Sequence, residues 1–139
     1  MDTHNGQVSL QIEAGVASVL FDRPQARNAM TWAMYEQLAA INRQLTSDRS
    51  VRVAVFRGAG GQAFVAGTDI EQFTAFQSGD DGVAYERRIE AGIAQLCGLP
   101  MPTVALVEGW CVGGGLAIAT ACDFRLATPD AKFGVPIAR

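Results

Sequence analysis

The sequence predicts an α/β fold with a mostly parallel sheet, and three features carry that expectation. Short β-branched runs alternate with helix-like stretches, Met34, Leu38, Ile41 and Leu45 recur at helical spacing, and the links between helix and strand are short. Connections of this kind imply right-handed crossovers.

Val8, Leu10 and Ile12 alternate with polar residues, Ala14-Gly15 supplies a turn, and Val16 to Phe21 reads as the partner strand of an antiparallel hairpin. Thr31 caps a helix that ends near Ser47. Val51 to Arg57 follows as a β-branched strand, and Gly58-Ala59-Gly60-Gly61 as a loop. A helix is expected from about Asp69, a mobile link from Gln77 to Gly82, and another helix from about Val83 to Cys97. Leu99-Pro100-Met101-Pro102 then breaks the chain before a buried strand from Thr103 to Val107.

The 139 residues, 49% hydrophobic and 18% charged, suit one domain with a substantial core, placed at 1–139. Net charge is −3 and no stripe of Lys and Arg is present, which argues against nucleic acid or an anionic membrane as partner. Thr103 to Cys122 holds one charge, Glu108, over a membrane-spanning length, yet its four glycines favour a buried strand, turn and helix. Cys97, Cys111 and Cys122 lack any C-x-x-C spacing and read as reduced core thiols, with no metal site expected. Residues 1–7 carry no basic patch or apolar run, so a cytoplasmic location without a signal peptide is expected.

The most informative features are two glycine-centred turns, Phe64-Val65-Ala66-Gly67-Thr68-Asp69-Ile70 and Gly109-Trp110-Cys111-Val112-Gly113-Gly114-Gly115. Each follows an apolar strand-like run and opens a helix-like one. A glycine removes the Cβ that blocks close approach, and a helix start leaves N–H donors without partners, so the two turns together suit one developing oxyanion. Taken without further support, the two turns read more readily as simple strand-to-helix connections.

These turns, with Arg23-Pro24-Gln25-Ala26-Arg27-Asn28-Ala29-Met30 before them and Ala121-Cys122-Asp123-Phe124-Arg125 after, resemble the enoyl-CoA hydratase/isomerase (crotonase) family. The blocks stand in the right order, and the match runs through nearly the whole chain. The resemblance implies a crotonase-like (ClpP/crotonase) spiral of β-β-α units, here only the N-terminal core and lacking the C-terminal helical region. It also implies an acyl-CoA lyase or isomerase of fatty acid metabolism that stabilises an enolate-like anion, with coenzyme A as part of the substrate and no prosthetic group. Assembly as a homotrimer or hexamer belongs to the same expectation.

Residue by residue, the resemblance assigns the oxyanion donors to the backbone N–H groups of Thr68 and Gly114, and coenzyme A contacts to Gln25, Ala26, Ala66, Thr68, Asp69 and Ile70. Arg23 and Arg27 are either donors to coenzyme A phosphates or solvated loop charges. Thr68 to Glu71 fits a capping box that would occupy the Thr68 N–H, whereas Asp69 to Gln72 fits one that leaves it free; the second is favoured.

The family's hydratases use two glutamates to activate water, and the matching positions here are Ala117 and Ile137. Neither can move a proton. Glu108 reads better as a solvated or paired charge than as a substitute, Asp123 as a structural hydrogen-bonding group, Cys111 as an inert buried thiol, and His4 as part of a frayed terminus. A noncatalytic acyl-CoA-binding paralogue is the alternative reading.

Overall fold

The computed structural model describes residues 5–69 and 79–135. The hairpin expected from the alternating pattern is β1 (Gln7–Glu13) against β2 (Val16–Asp22), antiparallel and in register from Gln7 with Asp22 to Glu13 with Val16. A 3-10 turn at Pro24–Ala26 leads to α1 (Trp32–Ser47). The Thr31 hydroxyl accepts from the Met34 N–H at 3.2 Å, the expected cap, and Met34, Leu38, Ile41 and Leu45 are all buried.

From β3 (Val53–Gly58) onward the chain repeats one move. β3 is followed by β4 (Ala63–Ala66) and then α2 (Gly79–Cys97); β5 (Thr103–Val107) by β6 (Trp110–Val112) and then α3 (Gly114–Ala121); β7 (Phe124–Ala127) by β8 (Lys132–Gly134). The first strand of each pair joins a five-stranded sheet ordered β1-β2-β3-β5-β7, and the second joins a three-stranded sheet ordered β4-β6-β8. Every pairing except β1–β2 is parallel. Two layers thus grow together, one strand each per turn of the spiral.

Close approaches between these layers explain two of the glycines. At Gly109, between β5 and β6, φ is +70° and an added Cβ would lie 2.0 Å from the Gln62 carbonyl oxygen. At Gly115, in the first turn of α3, an added Cβ would lie 1.9 Å from the Val65 oxygen, so only a glycine lets α3 sit directly on β4. The core between hairpin, sheet and α1 is built on Phe21, Phe56 and Phe64, all fully buried, with Phe21 edge-on to Phe64 at 5.4 Å.

Several expectations need correction. The second glycine block is not a plain turn: Trp110–Val112 is a strand that pairs with β4. β7 and β8 carry no strong sequence pattern, because every β7 residue is exposed and the buried-face alternation is missing. α2 begins at Gly79, four residues before the expected Val83, within the segment read as a mobile link. Cys97 is exposed, since it ends α2 on the solvent side, whereas Cys111 and Cys122 are buried. The helix expected from Asp69, the two capping boxes, Ile70, Ile137 and His4 extend into or lie outside the described residues. No described helix is long and apolar enough to cross a membrane.

Candidate active site

The loop after β2 is shaped by two residues in left-handed backbone conformation, Arg27 at φ +51° and Asn28 at φ +58°. Asn28 holds that shape from inside. Fully buried, it donates from Nδ2 to the Ala59 and Ala63 carbonyls at 3.0 and 2.9 Å and accepts the Arg23 N–H at 2.8 Å. The sequence pattern gives Asn28 no role of its own; its one signal is that Asn is among the few residues that tolerate this conformation.

The loop lies along the first glycine turn. The Ala66 N–H donates to the Arg27 carbonyl at 3.1 Å, the Met30 N–H to the Gly67 carbonyl at 2.9 Å, and the Asp69 N–H to the Met30 carbonyl at 2.8 Å. Gly67, with φ +97°, provides the reversal. The stretch from Arg27 to Met30, directly after Gln25 and Ala26, therefore runs side by side with the turn of Ala66 to Asp69. Arg23 pairs with Asp69 at 2.9 Å, both side chains largely buried. This corrects the reading of Arg23 as a solvated charge. Arg27 is also engaged, its guanidinium 5.7 Å from the centre of the Trp110 ring.

The second turn arrives from the other end of the spiral. Gly113, at φ +56°, caps α3 and donates its N–H to Gly134 at 3.0 Å. Gly114 is then the first helical residue, so its N–H has no acceptor within the helix. A Cβ built on Gly114 would lie 3.0 Å from Thr68 Oγ1, which puts the two turns in contact. No described group accepts from the Thr68 N–H.

A residue that sequence reasoning missed completes the cluster. Tyr35 reaches in from α1, with its hydroxyl 2.8 Å from Thr68 Oγ1 and 2.6 Å from the position a Gly114 Cβ would take. Burial pushes its phenol above the ordinary value of 10.0, opposed by the Thr68 hydrogen bond. Tyr35 flanks the buried stripe of α1, and nothing in the helical spacing marks it out. It also borders an open groove of about 940 Å³ between α1 and α2, lined in part by Trp32, Arg88 and Gly92.

The other candidate side chains are occupied elsewhere. Ala117 is exposed on α3 three residues beyond Gly114 and offers no ionisable group. Glu108 faces Arg57 at 3.8 Å, as a paired surface charge. Asp123 accepts from the Thr103 N–H at 2.9 Å and returns its own N–H to the Thr103 hydroxyl at 2.8 Å, tying the end of α3 to the start of β5. Burial pushes the Cys111 thiol up to about 11, leaving little thiolate at neutral pH.

The profile of the family described as Enoyl-CoA hydratase/isomerase matches residues 11–139. Enoyl-CoA hydratase domain-containing protein 2, mitochondrial, of Bos taurus is 36% identical over 121 residues, covering 87% of this chain and 40% of the relative. Hydroxycinnamoyl-CoA hydratase-lyase of Pseudomonas fluorescens is 36% identical over 142 residues, covering 97% and 51%. An enoyl-CoA hydratase/carnithine racemase crystal structure from Magnetospirillum magneticum superposes with a TM-score of 0.89 at 36% identity, covering 98% of this chain and 50% of that one. The chain thus spans about half the length of these relatives. With the profile matching most of the sequence and the two-layered spiral recurring in solved structures, this chain belongs to the enoyl-CoA hydratase/isomerase family and has the crotonase fold.

Proposed function

We propose that the protein acts on an acyl-CoA thioester, using the backbone N–H groups of Thr68 and Gly114 to stabilise the anion that develops at the thioester oxygen. The observation that carries this reading is the meeting of the two turns, each with an N–H that lacks an acceptor in its own element. Fixed donors of this kind need no reorganisation as charge develops, and the loss of one typically costs about 3 kcal/mol of transition-state stabilisation. Coenzyme A lies along Gln25, Ala26, Ala66, Thr68, Asp69 and Ile70. Of these, Asp69 acts by positioning, because its N–H and carboxylate are both engaged within the fold.

The reaction is an isomerase- or lyase-type step through an enolate-like intermediate and not simple hydration, because Ala117 and Ile137 stand where paired glutamates would activate water. Trimeric or hexameric assembly belongs to the same proposal and rests on family resemblance alone; a cytoplasmic location is proposed alongside it. The missing carboxylate at Ala117 equally favours a second reading, a noncatalytic acyl-CoA-binding protein.

Calorimetric titration of the intact protein with coenzyme A, acetyl-CoA and a long-chain acyl-CoA tests the shared part. Saturable binding of at least one thioester is expected, and equal failure of all three would overturn both readings. Turnover of any bound thioester then decides between enzyme and binding protein.

A further inference from the structure

We infer that the Tyr35 hydroxyl is a third hydrogen-bond donor to the same anion, supplied by α1 to the site that the Thr68 and Gly114 backbones form. The inference rests on the acyl-CoA reading and adds a side chain to it. Tyr35 Oη and Thr68 Oγ1 are 2.8 Å apart, and each oxygen carries one hydrogen. Their mutual bond uses only one of the two. Among the described residues the remaining hydrogen has no acceptor, although Tyr35 is largely enclosed. A donor left over beside two unengaged backbone N–H groups is the arrangement an incoming oxyanion completes.

The hydroxyl is also held in place. The Tyr35 N–H donates to the Thr31 carbonyl at 3.1 Å in the first turn of α1, and the Tyr35 ring stands edge-on to Tyr85 at 6.3 Å. A donor on a packed helix is oriented before ligand arrives. A phenol is protonated at neutral pH and burial raises its pKa further, so the hydroxyl stands ready as a hydrogen-bond donor. Because Tyr35 Oη lies 2.8 Å from Thr68 Oγ1 and 2.6 Å from the position a Gly114 Cβ would take, a thioester carbonyl at the two turns would lie within its reach.

Acetoacetyl-CoA provides the test, because its β-ketothioester enolises and the enolate absorbs in the near ultraviolet where the keto form does not. At one fixed pH, binding to the intact protein should raise the enolate band. Tyr35→Phe should lower the bound enolate fraction about tenfold or more while coenzyme A itself binds within twofold of normal. Thr68→Val, which keeps the backbone N–H but removes the hydroxyl anchor, should give a smaller loss in the same direction. An unchanged band in folded Tyr35→Phe overturns the assignment of Tyr35 alone. Joint loss of the band, coenzyme A binding and melting temperature assigns Tyr35 a packing role and overturns it too. If the unmutated protein binds neither ligand, the acyl-CoA reading fails together with this inference.

Discussion

Arg23 Nη2 lies 2.9 Å from Asp69 Oδ2, which joins the loop after β2 to the residue that follows Thr68. The same guanidinium donates from Nη1 to the Ala29 carbonyl at 3.2 Å. One cation therefore clamps both sides of the candidate coenzyme A surface.

Asp69→Asn keeps the shape and removes the charge. Because the pair is mostly enclosed, loss of the carboxylate charge beside Arg23 should cost about 2 kcal/mol of stability and loosen the turn that presents Thr68. Urea unfolding measures the first, and acyl-CoA affinity, expected to fall, the second. A variant as stable as the parent would show the pair to be incidental.

Gly115→Ala and Gly67→Ala separate steric contact from backbone strain. The Gly115 Cβ would be driven into the Val65 carbonyl, so α3 must leave β4, and a loss above about 3 kcal/mol is expected. Gly67 has open space around its Cβ position and only φ +97° to oppose a side chain, so about 1–2 kcal/mol is expected. Thermal melts should rank them in that order. Gly114→Ala keeps the backbone N–H, yet its methyl would displace the Tyr35 hydroxyl, so a loss of activity in this variant would not isolate the backbone donor.

Hydration of crotonyl-CoA should be very slow even where thioesters bind, since Ala117 supplies no carboxylate. A stopped or continuous assay of the enoyl absorbance checks this. Turnover matching a two-glutamate relative would mean that another residue activates water.

Thiol labelling should distinguish the three cysteines. At pH 8 iodoacetamide should modify Cys97 rapidly and leave Cys111 and Cys122 unmodified, since burial pushes their thiols up to about 11 and about 12. The same shifts set a stability trend. With the folded pKa above the ordinary thiol value of 9.0, the folded state holds these protons more tightly. The associated stability is complete below pH 9 and is lost as pH rises toward 11 and 12. Tyr85, pushed up to about 12 chiefly by burial, acts in the same sense at the upper end. Unfolding midpoints measured across this alkaline range should fall steadily, and a flat profile would contradict the burial argument.

Residues 1–139 expressed on their own should self-associate. Phe124 and Leu126 are 61% and 62% exposed on β7, the outer strand of the five-stranded sheet. Light scattering should show aggregates, and charged substitutions at these two positions should reduce them.

Local sequence determined the hairpin, α1 with its Thr31 cap and four-residue stripe, and β5, because each carries its own periodicity and punctuation. It also determined the family, through glycines and flanking residues whose order survives without knowledge of the fold. Three-residue strands such as β6 and β8 are too short to show a period and exist because the layer beside them offers paired backbone groups. The same limit applies to the site. Thr68 and Gly114 lie on separate turns of the spiral, and Tyr35 on a helix whose pattern announces only its buried face. Parallel stacking of β4 and β6, with Gly115 pressed against Val65, brings all three together, and that contact is a property of the packed layers that no local stretch of sequence contains.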